Sequence, residues 1–311
     1  MKILFTCFIN ALPNARKMAW WILKVMLPLS FVVGTLQYFN LLNSFSAFVS
    51  PAFELIGLSG KASIAFISSV FISTYAAIGT ISALNLDLRE IIILGAMCVI
   101  SHNMIVECAI QKKTGSNGVT IFIVRLLVSF ASAIILNLLL PDKASLGQPH
   151  FSGSTQQAAS YVDFLKNWAE VNGWLSLRIF CVILALLFLQ NVLKEFKIID
   201  LLSRTLAPVM GVMGLSRNVS FLWLVAQTLG LTYGAGILIE EINKGEITRS
   251  EANKLNYHLA ISHSQFEDPM LFVAIGAPYF WVSLPRYVFS LLVVWIIVGI
   301  EHWRMKRLQR L

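Results

Sequence analysis

The chain has 311 residues, of which 57% are hydrophobic and only 13% charged. A soluble domain carries roughly 25% charged residues, so the polar surface needed in water is missing and an integral membrane protein is expected. The formal charge of +8 is not gathered into a groove. Arg16, Lys17 and Lys24 lie near the start, and Arg304, Lys306, Arg307 and Arg310 close the chain. Such flanks read as cytoplasmic anchors, and no nucleic-acid partner is expected. Cys7, Cys98, Cys108 and Cys181 have neither CxxC spacing nor a disulfide framework.

Residues 1–12 are apolar after Lys2, but Pro13 and Arg16-Lys17 follow where a cleavage site would need small residues. They are expected to form a retained interfacial helix. Residues 19–39 form the first span, opened by Trp20-Trp21, with Lys24 close enough to its end to snorkel. Residues 40–60 are half-polar and suit the interface. Residues 62–84 read as one span whose Ser68, Ser69, Ser73, Thr74 and Tyr75 suit close helix packing.

Asp87-Leu88-Arg89-Glu90 reads as a capping box. His102 lies about 22 Å beyond it at 1.5 Å per residue, deep in a hydrocarbon core about 30 Å thick. Lys112-Lys113-Thr114-Gly115 ends that helix, and residues 119–140 form a further span. Residues 141–173 are hydrophilic and read as a linker.

The second half restates the first. Gly214-Leu215-Ser216 repeats Gly57-Leu58-Ser59 157 residues later, and Thr232-Tyr233 repeats Thr74-Tyr75 158 residues later. The box Thr248 to Glu251, Ser262-His263, Asp268 and Arg286 repeat Asp87 to Glu90, Ser101-His102, Glu107 and Arg125 161 residues later. The register shift of three residues falls in the polar stretch after Tyr233, where insertions belong. Two repeats are therefore expected, residues 1–140 and 174–311, joined by the linker 141–173.

The expected fold is an all-α, multi-pass membrane protein of about eight hydrophobic helical segments. Basic termini on the cytoplasmic side and an external linker give each half an odd number of crossings, making the second half an inverted copy with re-entrant or broken helices around Ser-His. A parallel arrangement, with four full spans per half and the linker inside, is the alternative.

These paired motifs resemble those of the Gate-domain membrane proteins, also described as nucleoside-recognition domain proteins. That group includes spore maturation proteins A and B, and its module occurs in the membrane part of ferrous-iron transporter B. The resemblance covers nearly all the chain outside the linker and extreme termini. It implies the repeated architecture and an inner-membrane location, but not a substrate, because the nucleoside label reflects a remote kinship with concentrative nucleoside transporters. The absence of GxxxxGK[ST] means that GTP-driven iron uptake is not implied for this chain.

Ionisable residues at membrane depth mark candidate functional sites. The expected site, between the repeats, comprises Ser101, His102, Asn103, Glu107, Ser262, His263, Gln265, Glu267 and Asp268. On an unbroken helix His102 and Glu107 point about 140° apart, so a break is needed to bring them together. Glu267 follows His263 by four residues, a spacing that lets them interact. Arg125 and Arg286 read as interfacial snorkelling residues, with an ion pair to Glu107 or Asp268, or an anion contact, as the alternative.

Three functions fit these residues. The first is transport or binding of a small polar solute, with a proton or sodium as coupling ion and no resident cofactor. The second is permeation of a divalent metal held by His102, Glu107, His263 and Glu267. The third is a non-transporting scaffold or assembly partner, in which His and acid pair across the halves. A homo-oligomer or a partner membrane protein fits any of these. No enzyme is expected, since GxSxG and HExxH are absent and Ser101 and His102 point about 100° apart on a helix.

Overall fold

The computed structural model describes residues 2–146 and 159–308, which contain helices and turns and no strand. The first half runs through α1 (Lys2–Tyr38), α2 (Asn43–Glu54), α3 (Ala62–Phe71), α4 (Thr74–Ala83), α5 (Leu88–Ser101), α6 (Met104–Lys113) and α7 (Gly118–Leu139). A short α8 (Lys143–Leu146) follows, then α9 (Tyr161–Glu195) and α10 (Ile198–Leu206). Two 3₁₀ stretches, Ala207–Met213 and Arg217–Val219, lead into α11 (Ser220–Leu229), α12 (Leu231–Lys244), α13 (Arg249–Ser262), α14 (Asp268–Ala274) and α15 (Tyr279–Leu308).

Five helical stretches among the described residues are long and apolar enough to cross a membrane: Lys2–Tyr38, Leu88–Lys113, Gly118–Leu139, Tyr161–Glu195 and Tyr279–Arg307. The protein is thus an all-α membrane protein. The expected interfacial helix at residues 1–12 is not separate. It continues through Pro13 and Pro28 into the 37-residue α1, about 55 Å long at 1.5 Å per residue. The expected linker is also shorter than 141–173, because α9 begins at Tyr161; residues 147–158 lie outside the described residues. Asn172, inside that expected linker, is buried. Its Oδ1 accepts from Ser30 Oγ at 3.1 Å and Ser82 Oγ at 3.0 Å, while Trp168 Nε1 donates to Ser30 Oγ at 3.2 Å.

The repeat is visible in backbone detail. Gly57 and Gly214 both have positive φ, +77° and +70°, which glycine adopts at no steric cost. Leu58 N donates to Phe53 O and Leu215 N to Met210 O, both at 3.0 Å. Both capping boxes form in full, Asp87 with Glu90 and Thr248 with Glu251. Ser59 N also donates to Glu90 Oε1 at 2.8 Å, tying the first glycine turn to the start of α5. In the second half burial pushes the Glu251 carboxyl up, but hydrogen bonds from Ser216 and Thr248, and the Lys254 charge, hold it below its ordinary value.

The span expected over residues 62–84 is broken. Ser73 takes an extended conformation and caps α4 by accepting from Ala76 N at 3.2 Å, because a serine hydroxyl offers the backbone an alternative to helical bonding. The second half breaks at the corresponding place, between α11 and α12, at Gly230.

The chain divides into two compact units that cut across the repeats. The first comprises residues 1–104, 129–191 and 267–283; the second comprises 105–128, 192–266 and 284–311. Each unit therefore contains a segment from the opposite half of the sequence. In the first unit, Phe272 of α14 lies against Gly95 of α5, where an added Cβ would sit 2.9 Å from ring atom Cδ1. In the second, the position equivalent to Gly95 is Asn256 of α13. It bonds the incoming α6 and its turn: Thr114 Oγ1 donates to Asn256 Oδ1 at 3.1 Å, Asn256 Nδ2 donates to Ser116 Oγ at 2.9 Å, and Gln111 Nε2 donates to Asn256 O at 3.3 Å.

One unit is thus keyed by an aromatic ring on a glycine and the other by a buried amide. Gly95→Ala should lower stability by about 1–3 kcal/mol through overpacking. Adding Phe272→Leu should return part of the loss, as read from the unfolding midpoint of the detergent-purified protein.

Candidate functional site

Both Ser-His motifs sit where a helix stops. α5 ends at Ser101 and α13 at Ser262; His102 and His263 are the C-caps, with extended backbone. The next residues, Asn103 and Ser264, are left-handed, with φ of +46° and +50°, an uncommon state for side chains other than glycine. Each is fixed by a bond from its own N–H: Asn103 N donates to Ser69 O at 2.9 Å, and Ser264 N to Ala226 O at 3.1 Å. Both acceptors lie on α3 or α11, the helix that breaks just afterwards. Each half therefore closes one break against another.

In the first unit, His102 Nδ1 lies 3.2 Å from Val99 O and its Nε2 lies 3.4 Å from Asp268 Oδ2. Asp268 opens α14, so the first half supplies the imidazole and the second half the carboxylate. Beside this pair, Tyr75 donates its hydroxyl to Glu267 Oε1 at 2.5 Å, and its ring packs edge-on against Trp21.

In the second unit the pairing is reciprocal. His263 Nδ1 lies 2.7 Å from Leu259 O and its Nε2 lies 3.3 Å from Glu107 Oε1. Glu107, on α6, comes from the first half. Its other oxygen is 2.7 Å from Arg125 NH1. Arg286 donates Nε to Ile261 O at 2.9 Å and NH2 to His263 O, closing the end of α13.

The two histidines share one electronic arrangement. A carbonyl oxygen at Nδ1 requires a hydrogen there, so Nε2 faces the carboxylate.

Several expected residues lie differently from the sequence reading. Arg125 and Arg286 do not snorkel: both have 0% exposure, Arg125 making the ion pair with Glu107 that was the alternative reading and Arg286 donating to helix-end carbonyls. Glu267 is not on one helix with His263, because α13 has already ended at Ser262; Tyr75 donates to it. Of the four residues considered as metal ligands, Glu107 and His263 fall in the second unit, and His102 and Glu267 in the first. Ser101, Ser262 and Gln265 are fully buried, and Asn103 is half-buried. The side chains of Thr232 and Tyr233 lie outside the described residues.

Sequence reading missed His258. Trp223 Nε1 donates to its Nδ1 at 3.2 Å, Ser262 Oγ lies 2.8 Å from the same nitrogen, and Ser290 Oγ lies 3.3 Å from Nε2. Accepting from Trp223 requires a bare Nδ1, hence a neutral ring with its hydrogen on Nε2. Gln227 Nε2 in turn donates to Ser262 Oγ at 3.2 Å. The available signal was the four-residue spacing of His258 and Ser262 on one helix face. The equivalent of His258 in the first half is Met97, so the repeat did not reveal it.

The profile of the Gate family, described as nucleoside recognition, matches residues 19–139 and 176–278. The uncharacterized membrane protein YvoD of Bacillus subtilis is 26% identical over 299 residues, covering 96% of this chain and 95% of its own length. No solved structure matches.

The Glu107–Arg125 pair is buried, so truncating one partner strands the other. Arg125→Leu should cost about 3–5 kcal/mol of stability. Arg125→Leu combined with Glu107→Gln should cost less than Arg125→Leu alone, a coupling that a double-mutant unfolding cycle would measure.

Proposed function

This chain belongs to the Gate family of membrane proteins, and on that premise we propose that it is a non-enzymatic inner-membrane transporter or binding protein for a small polar solute. The observation that supports this is the reciprocal His–acid pairing at two helix breaks. His102 of the first half meets Asp268 of the second, and His263 of the second meets Glu107 of the first. Backbone opened at membrane depth is tolerated where it lines a cavity or is buried in protein. Helix breaks of this kind supply binding groups in membrane transporters.

The chemistry supports a solute with both donors and acceptors, such as a nucleoside or a small hydroxylated acid. In the first unit Asn103 offers an amide and Tyr75 a hydroxyl. Glu267 and Asp268 supply carboxylates beside the first break. A solute, or a coupling proton, that changes the Nε2–carboxylate contact acts on residues from both halves of the sequence.

A second reading is supported by the second unit. There Arg125 and His263 already face both Glu107 oxygens, as in a cluster whose role is to fix helix register. In that case the protein is a scaffold for a partner membrane protein.

The two readings separate in one experiment. Unfolding of the detergent-purified protein is followed against nucleosides, small carboxylic acids and divalent metal ions, with His102→Gln and His263→Gln alongside. A ligand bound only by the folded state at 100 times its dissociation constant adds about 2.7 kcal/mol. Stabilisation by nucleosides or acids, lost in both variants while they stay folded, is the expected result. Stabilisation by metal ions alone would replace the solute with a cation. No stabilisation by any class, with variants that differ only in stability, would support the scaffold.

A further inference from the structure

At one end of the second unit, the last turn of α6 and the first turn of α13 face a cavity of about 280 Å³. Its polar wall comprises Lys112, Lys113, Thr114, Gly115, Asn243 and Arg249, over an apolar floor from α12. We propose that this cavity binds a phosphoryl group, as a phosphate ester with room for part of its organic portion.

The charges argue for an anion. Lys112 and Lys113 end α6, where cations complement the helix dipole. Arg249 does not have that explanation, because it is the first residue of α13 and not near a helix C-terminus. Three cations around one small cavity also repel one another. An anion between them removes that repulsion, because it meets three positive side chains together.

Neighbouring carboxylates are engaged elsewhere. Lys244 bridges Glu240 at 2.7 Å and Glu241 at 3.2 Å, and its hydrogen bond holds the Glu240 carboxyl below the ordinary value. Glu301 takes Lys254 at 2.9 Å. Glu251 completes the α13 capping box. Glu246 lines a separate groove with Asn218 and Phe221.

The frame is also held before any ligand arrives. Thr114 and Ser116, either side of Gly115, are bonded to Asn256 and Asn253 on α13. The turn after the two lysines is thus tied to the helix that carries Arg249, and this is the preorganisation that a binding site needs. Arg249 can present a two-pronged donor to phosphate oxygens, the lysines add point charges, and the Asn243 amide can donate. Phosphate esters at such a site come either from soluble metabolites or from anionic lipid headgroups. A basic surface of this kind is expected on the cytoplasmic side, where both are present.

The test uses the full chain in nanodiscs of phosphatidylcholine. Inorganic phosphate and ATP are added in one arm, and phosphatidic acid is built into the disc in the other. Lys112→Gln/Lys113→Gln/Arg249→Gln is compared with a control of equal charge change, Lys244→Gln/Lys254→Gln/Arg304→Gln. Each protein's unfolding midpoint without ligand verifies that it is folded. We expect one arm to raise the wild-type midpoint, less so at raised salt. The cavity variant should bind about tenfold or more weakly, since each charge-assisted hydrogen bond lost is worth roughly one such factor, while the control responds as wild type. A response to ATP or phosphate identifies a soluble ester, and one to phosphatidic acid identifies a headgroup. No response in either arm, or equal losses in the cavity variant and the control, would overturn the proposal.

Discussion

Every buried N–H and C=O in a membrane needs a partner within the protein, and among the described residues the two motif-bearing regions open their helices four times. Each half breaks once between Ala62–Phe71 and Thr74–Ala83, or their counterparts, and once after Ser-His. The bonds from Asn103 N to Ser69 O and from Ser264 N to Ala226 O close one break against another. Histidine Nδ1 and the Arg286 guanidinium take up further helix-end carbonyls. Without these bonds the breaks would expose unsatisfied backbone, and the polar clusters built on them would have no fixed frame.

The same breaks let the two halves exchange material. Residues 105–128 join the second unit and residues 267–283 the first, each carrying an acid to the other half's histidine. The exchange is not symmetrical in chemistry. Phe272 on Gly95 gives the first unit an apolar contact, whereas Asn256 gives the second a hydrogen-bonded one. The second unit also has the His258 cluster and the buried Arg125–Glu107 pair, and at its end the basic cavity. Duplication has supplied two copies of a frame, and substitution has given each copy its own polar content.

That division bears on function. The His102–Asp268 pair lies beside Tyr75 and Glu267, a group of side chains able to contact a solute. The His263–Glu107 pair is held by arginine and more closely resembles a fixed electrostatic element. The basic cavity lies outside the Ser-His breaks.

The sequence by itself determined the membrane class, the helical content, the duplication and the positions of both Ser-His motifs. These rest on composition and on spacing along the chain, which survive without knowledge of packing. The capping boxes at Asp87 and Thr248 were legible for the same reason, since four adjacent residues contain the whole interaction. Which acid meets which histidine was not legible, because a helix break discards the angular register on which the spacing of Glu267 and His263 was read. Arg125 and Arg286 looked interfacial because a sequence gives depth only along one helix, and their burial comes from neighbours far away in the chain. His258 and Asn256 became significant only through Trp223, Ser290 and the incoming α6 turn. Those long-range choices belong to tertiary structure, where a buried polar group has to find its partner wherever the fold supplies one.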